Sequence, residues 1–329
     1  MKKLFSVVFL LVLFHGFAEA GEKVLAVQSA SIKPYEEAFE GFKSVYASGY
    51  ASREYASGYA SGGYASGDAS RFERIILSDW QERDIATEIR KTRPDLILAI
   101  GKEALSVAKA IRNIPVVYAM VLNPEAMLSA QKDIRGVSMM IQPKSQLTAL
   151  LNVLPGLRKI GLLYDPDKSG HFVLEARNAA ARMGLKLIAK EVKTSKDVPS
   201  ALMDIQDQID SFWMVPDTTV ITPETVEFLL LLSFEKNIPV LTFSEKYLSL
   251  GALIATGVDP FDMGAQAGEM AKEILMGGGT RNAQQAHARK MVVSTNLMIA
   301  GKLGINLNMA GSFKTTIDGK RMRSVIDVN

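Results

Sequence analysis

Short apolar runs alternate with amphipathic helical segments along most of the chain. The runs at 24–28, 74–77, 96–100, 116–119, 159–164, 186–192, 211–215, 239–242 and 252–256 are brief and rich in aliphatic and β-branched residues, as strands buried on both faces are. The stretches between them repeat apolar residues at helical spacing. Pro34 opens one, with Tyr35, Ala38, Phe39 and Phe42 on a single face. Ser78 and Gln81 have capping-box spacing ahead of Ile85 and Ile89. Ser169 opens a helix that Gly184 ends, with Val173, Ala176, Ala180 and Met183 inward. Thr222-Pro223-Glu224 and Asp259-Pro260 start two more, and Gly277-Gly278-Gly279 stops the second of these. Such alternation predicts parallel sheets with helices on both faces. It runs from Val24 to about Ala119, lapses over 120–143 and restarts at Lys159. The expected fold is α/β, with two doubly wound parallel-sheet lobes facing each other. Ligands of such sheets bind beyond the carboxyl ends of the strands, so the lobes would share a cleft.

Two segments break the pattern. At the start, Lys2 and Lys3 precede an apolar run from Leu4 to Phe14, and Ala18-Glu19-Ala20 presents small residues at the positions a signal peptidase reads. Residues 1–20 therefore read as a cleaved signal peptide. The run is too short to span the ~30 Å of a bilayer core comfortably. No Cys follows it, so the chain is expected to be exported without a lipid anchor. The second break is 46–70, where Tyr-Ala-Ser units start at Tyr46, Tyr50, Tyr55, Tyr59 and Tyr64. Aliphatic residues are absent and Gly and Ser abundant, so 46–70 reads as a low-complexity surface insertion between the first helix and the second strand.

Charge and composition narrow the chemistry. Without Lys2, Lys3 and Glu19 the mature chain carries 36 basic and 34 acidic side chains, which gives no electrostatic case for nucleic acid. Cysteine is absent, which removes disulfides, thiolate catalysis and Cys-ligated metals. No P-loop, dinucleotide fingerprint or nucleophile elbow occurs. Of the two histidines beyond the signal, His171 lies at a helix start where it can face a cleft, and His287 lies in a polar tract expected to be solvated. No cofactor and no metal is expected.

Donor-rich residues instead follow the strands. They are Ser29 and Ser31, Gly101 and Lys102, Asn123, Ser169 and Gly170, Asp217 and Thr218, and Phe243 with Ser244. Free N–H groups at helix N-termini hold carboxylates, and a buried Asp suits an ammonium. Each is also an ordinary cap or turn residue when taken alone.

At these residues the chain resembles the solute-binding proteins of ABC importers, of the type that includes tryptophan- and other aromatic-amino-acid-binding members. The matching segments are 32–42 (IKPYEEAFEGF), 91–104 (KTRPDLILAIGKEA), 114–124 (IPVVYAMVLNP), 160–177 (IGLLYDPDKSGHFVLEAR), 212–223 (FWMVPDTTVITP), 238–252 (IPVLTFSEKYLSLGA) and 296–304 (NLMIAGKLG). The 46–70 repeat is foreign to that pattern, and the missing lipobox Cys suggests a Gram-negative periplasm. The resemblance implies a type I periplasmic-binding-protein fold with several hinge crossings. By analogy the first lobe takes 21–137 plus 257–289, and the second 138–256 plus 290–329.

It further implies a monomer that closes on a small amino-acid-like solute and delivers it to a permease and its ATPase in the inner membrane. Ser29, Ser31, Gly101, Lys102, Ser169 and Gly170 would meet the polar or anionic part, and Ser244 would also bind the ligand. Asp217 would hold an ammonium or hydroxyl, and Asn123 and Thr218 would bridge. Tyr118, Phe243 and Tyr247 would frame an apolar side chain. Asp259 either reaches the cleft or caps its helix. The alternatives are a ligand-sensing module for a membrane receptor, and a secreted hydrolase in which Asp217 and His171 are essential.

Overall fold

A computed structural model describes residues 22–56, 72–80, 84–128, 134–277, 285–306, 316–317 and 320–328. The expected signal peptide and the greater part of the repeat lie outside these residues.

The first sheet holds β1 (Val24–Gln28), β2 (Phe72–Ile76), β3 (Leu96–Ile100), β4 (Val116–Val121), β5 (Ile134–Ser138) and β11 (Gln285–His287), in the spatial order β11-β5-β4-β3-β1-β2, all parallel. The second holds β6 (Lys159–Tyr164), β7 (Lys186–Glu191), β8 (Ser211–Trp213), β9 (Val240–Thr242), β10 (Ile254–Val258), β12 (Lys290–Asn296), β13 (Thr316–Ile317) and β14 (Arg321–Asp327). Its order is β13-β14-β12-β10-β9-β8-β6-β7. Strands β6 to β10 run parallel, whereas β12, β14 and β13 add an antiparallel edge. The helices are α1 (Lys33–Ala56), α2 (Ile85–Thr92), α3 (Lys102–Ala108), α4 (Glu125–Leu128), α5 (Pro143–Val153), α6 (Pro166–Arg182), α7 (Val198–Ile205), α8 (Pro223–Glu235), α9 (Pro260–Leu275) and α10 (Leu297–Lys302).

Both sheets are covered on two faces, which explains their unbroken apolar strands. On β1, Val24 and Ala26 join the core that includes Ala38 and Phe42 of α1 and Met263 and Ala267 of α9. Leu25 and Val27 point the other way, into the core that holds Ile89 of α2 and Leu105 of α3. Helices α1 and α9 touch backbone to backbone. A Cβ on Gly41 would stand 1.9 Å from the carbonyl oxygen of Phe261, and one on Gly264 would stand 1.8 Å from that of Ala38. In the second sheet, Ile160 and Leu162 share a core with residues of α5 and α6, and Leu163 shares one with residues of α7 and α8.

The sequence reading needs three corrections. Helix α1 does not stop before the repeat but continues to Ala56. Tyr46, read as the start of a surface insertion, is buried, stacked on Phe42 at 5.6 Å and edge-on to Phe72 at 5.5 Å. An aromatic at the apolar end of α1 gains about 1.5–3 kcal/mol by covering the sheet, whatever repeat it belongs to. The Ser78/Gln81 pattern opens no α-helix: Leu77–Asp79 is a single 3₁₀ turn, and Asp84 caps α2 by accepting from the Thr87 N–H at 3.2 Å. The irregular stretch 120–143 contains the strand β5. Apart from these corrections, the C-terminal segment contributes β14, paired along its whole length with β12.

The chain passes between the sheets three times: through Met139–Gln142 after β5, at Asp259 after β10, and through Ala288–Arg289 after β11. These passages are tied side by side. The Ala288 N–H donates to the Ser138 carbonyl at 3.2 Å and the Asp259 N–H to that of Lys290 at 3.3 Å.

Candidate functional site

A cavity of about 1060 Å³ opens where the passages meet the carboxyl ends of the strands. Three sources build its wall. The first sheet gives Leu122 and Asn123 beyond β4, Glu125 of α4 and His287 at the end of β11. The passages and the strand end before one of them give Met139, Met140, Ile141, Gln142, Gly257 and Val258. The second sheet gives Lys168, Ser169, His171, Phe172 and other residues of α6, then Val215 and Pro216 beyond β8, and Phe243, Ser244 and Lys246 beyond β9. An apolar floor with a few polar groups converging on it suits a small organic ligand.

Local backbone strain aims the first-sheet wall. Met120 and Asn123 have φ of 59° and 60°, and the β4–β5 register shifts between Tyr118 and Val121. A buried Met in the left-handed region is costly, and such outliers concentrate at functional sites. Here the irregularity turns the end of β4 so that Leu122 and Asn123 face the cavity. Beneath the floor, Gln146 orders the interior. Its Oε1 accepts from the Trp213 indole N–H at 3.1 Å, and its Nε2 donates to the Ile141 carbonyl at 2.9 Å, fixing the first passage.

Of the residues singled out from sequence, Asn123, Ser169, Phe243 and Ser244 line this cavity. Asp217 lies behind it, buried, with its carboxylate committed to the protein. Oδ2 accepts from the Asp165 N–H at 2.8 Å and from the Ser169 hydroxyl, and Oδ1 accepts from the N–H groups of Thr219 at 2.9 Å and Val220 at 3.3 Å. Gly170 sits between the wall residues Ser169 and His171, and Thr218 two positions beyond Pro216; neither is part of the wall. Ser29, Ser31, Gly101 and Lys102 gather instead at the carboxyl ends of β1 and β3. There the Ser29 hydroxyl oxygen accepts from the Ala104 N–H at 3.0 Å, and the Ser31 hydroxyl donates to Glu36 at 3.4 Å. Gly101 has φ 92°, and a Cβ there would stand 2.5 Å from Ser29 Oγ and 2.8 Å from the Tyr35 hydroxyl.

The aromatic expectations divide. Tyr118 is buried in the first-sheet core with its ring against Gly136, and burial first and the Glu125 charge second push its pKa up. It is not part of the cavity wall. Phe243 is half-buried at the cavity and meets Tyr247 edge-on at 5.5 Å, while Tyr247 itself belongs to the second-sheet core. Asp259 is a helix cap, its Oδ1 accepting from the Asp262 N–H at 3.1 Å. His287, read from sequence as merely solvated, ends an edge strand and faces the cavity. His171 also lines it, with Nδ1 3.8 Å from Glu175.

Sequence reasoning missed the first passage, Lys144, Lys168, Arg182 and Lys246. The one available signal was Pro143 starting a helix directly after an irregular stretch. No cluster of three or more His, Cys, Asp or Glu side chains suited to a metal occurs among the described residues.

Known proteins agree with this architecture. The family model for ABC transporter substrate binding proteins matches residues 62–313. The chain is 27% identical over 204 residues to a tyrosine-binding protein of Clostridioides difficile (strain R20291), and spans 59% of that protein's length and 59% of its own. Among solved structures it resembles a ligand-free, open substrate binding protein with adhesive properties from Clostridium difficile. The identity is 21%, with 87% of this chain and 96% of that one covered at a TM-score of 0.67. It also resembles a Streptococcus pneumonia ABC domain in complex with L-Trp, at 20% identity with the same coverage and a TM-score of 0.56. These likenesses show the two-lobed fold of periplasmic binding proteins. With the family match covering most of its length, the chain belongs to the ABC transporter substrate binding protein family.

Proposed function

We propose that the protein is the extracytoplasmic receptor of an ABC importer. It closes its two lobes over a small amino-acid-like ligand with an apolar or aromatic side chain and presents the closed form to a membrane permease driven by an ATPase. The observation that carries this reading is the cavity itself. It lies at the carboxyl ends of strands from two sheets that, among the described residues, three adjacent passages connect. Rotation about those passages would bring the Asn123 wall toward the Ser169 and Ser244 wall. In this reading the lobes divide at the passages, 22–138 with 260–287 and 143–258 with 290–328, and the protein acts as a monomer.

Binding in this reading involves no covalent step. The Ser169 hydroxyl at the cavity donates to Asp217, which also holds three backbone N–H groups, so the pair braces the wall. Asn123, Ser169 and Ser244 supply hydrogen bonds, and Phe172, Phe243, Met139 and Val258 supply the apolar contact. The cluster of Ser29, Ser31, Gly101 and Lys102 joins from the first lobe on closure. Export through a cleaved signal peptide places the receptor in the periplasm. Family membership and the relative named for tyrosine binding support this account.

The test is thermal unfolding of the purified protein, stripped of co-purified ligand by unfolding and refolding. The panel is amino acids, organic acids, polyamines, sugars and short peptides. A ligand at 100 times its Kd stabilises the native state by about 2.7 kcal/mol. A selective response to aromatic amino acids upholds the reading, and silence across the panel sinks it.

A further inference from the structure

We propose that the cleft recognises its ligand through an anionic group held by Lys144 and Lys168, with an ammonium on the ligand adding little. This rests on the solute-binding reading above. Four permanent cations, Lys144, Lys168, Arg182 and Lys246, line the cavity, against the carboxylates of Glu125 and Glu175. Glu125 accepts from Gln285, and Glu175 lies 3.8 Å from His171, a contact that is an ion pair only when the imidazole is protonated. The carboxylates set behind the wall are engaged as well. Asp217 takes up four donors, Asp165 accepts from Thr219 and the Asp167 N–H, and Asp259 caps α9. Lys246 sits over the Tyr247 ring at 4.7 Å. Among the described residues no carboxylate makes an ion pair with Lys144, Lys168 or Arg182.

An incoming ammonium therefore meets two carboxylates against four basic side chains, and one of the two is already hydrogen-bonded. An incoming carboxylate meets two lysines that form no direct ion pair, although the Asp165 charge reaches Lys168. Position strengthens the contrast. Lys144 and Lys168 stand in the first turns of α5 and α6, where the helix dipoles also favour an anion. The side chain of Gln142 caps nothing on α5, and although Pro143 has no N–H and those of Ser145 and Gln146 donate to the Gln142 carbonyl, the positive end of the helix dipole lies at the cavity beside Lys144. Like charges in a concave site add their fields and draw in the opposite sign.

Two matched trios test the proposal by calorimetry on the purified protein: L-tyrosine, 3-(4-hydroxyphenyl)propionate and tyramine, and L-tryptophan, indole-3-propionate and tryptamine. The acids lacking the ammonium are expected to bind within about tenfold of their amino acids, and the amines lacking the carboxylate not at all. An amine that binds as tightly as its amino acid overturns the proposal, as does an acid weaker than its amino acid by more than about a hundredfold; solute binding stays intact in both cases. If none of the six binds, the aromatic assignment fails and the wider panel decides. A strongest binder that is an anion then upholds recognition through charge, a neutral or cationic one overturns it, and complete silence overturns both readings. The double variant Lys144→Gln/Lys168→Gln is expected to lose at least about tenfold in affinity for amino acid and acid alike, with its unliganded melting temperature unchanged. Unchanged affinity in that variant overturns the assignment.

Discussion

The Ser169 hydroxyl donates to the Asp217 carboxylate, and this bond ties the first turn of α6 to the loop beyond β8. The same carboxylate accepts three backbone N–H groups, so it acts as a strut beneath the cavity wall. Asp217→Ala would leave those buried donors unpaired and cost at least about 3 kcal/mol. Urea unfolding should show that loss without any ligand present. A variant that keeps its unfolding midpoint while losing affinity would instead make Asp217 a ligand contact.

Gly264 and Gly170 respond oppositely to the same change. A Cβ on Gly264 collides with the Ala38 carbonyl, so Gly264→Ala has to separate α1 from α9, at about 3 kcal/mol or more. A Cβ on Gly170 meets nothing closer than Pro166 Cβ at 3.9 Å. Gly170 lies inside α6, and Gly170→Ala should stabilise the protein by roughly 0.5–1 kcal/mol and leave ligand affinity intact. Melting temperatures of the two variants check the pair.

Most of the fold is legible in the sequence because its signals are local. The buried parallel strands are near-continuous apolar runs, and Thr222-Pro223 and Asp259-Pro260 start α8 and α9 as their types demand. What escapes is non-local. Strand β12 pairs antiparallel with β10 and β14, and nothing in 290–296 announces those partners. Tyr46 is hidden because its composition matches the repeat around it, while its burial depends on Phe72 far along the chain. For the site, the positions after strands are readable, but not which hydroxyls and carboxylates the protein consumes itself. Asp217 and Asn123 both follow strands, yet only Asn123 lines the cavity. The passage residues Met139–Gln142 become wall only once two sheets are assembled.

Acid should weaken the second lobe through Asp165. Its hydrogen bonds from the Thr219 hydroxyl and the Asp167 N–H hold its pKa below the ordinary carboxylate value. A folded-state value below the unfolded one means stabilisation that is complete above the unfolded pKa. That stabilisation is lost as pH falls through the folded value, below about pH 4. Thr219→Val removes the largest cause. The wild type should therefore lose more stability between neutral pH and this acid range than the variant does, as read from unfolding midpoints at several pH values.

The third passage is clasped to α9. Asp262, buried, receives the Arg289 Nε at 3.1 and 3.0 Å and the Lys290 ammonium at 3.1 Å, and Arg289 also reaches Glu269 at 3.0 Å. Burial works against the guanidinium charge, but the two carboxylates outweigh it and hold its pKa above the ordinary value. Asp262→Asn should cost about 1–3 kcal/mol, because two cations lose a partner in a poorly solvated place. Glu269→Gln, on the exposed side, should cost less than about 1 kcal/mol. Equal effects in denaturant unfolding would contradict the clasp.

Asn123 separates backbone from side chain. It holds φ at 60° and lines the cavity from the first-sheet side. Glycine adopts that conformation freely, whereas alanine is strained there by about 1 kcal/mol or more. If the carboxamide bonds the ligand when the lobes close, Asn123→Gly should keep the unliganded melting temperature within a few degrees and lower affinity by roughly tenfold to a hundredfold. Asn123→Ala should lose affinity to a similar extent and also melt earlier. Calorimetry with the strongest ligand of the panel, alongside melting of the unliganded variants, reads both effects. Full affinity in the glycine variant would show that the strained end of β4 serves the closing motion through its backbone and that its amide plays no part in recognition.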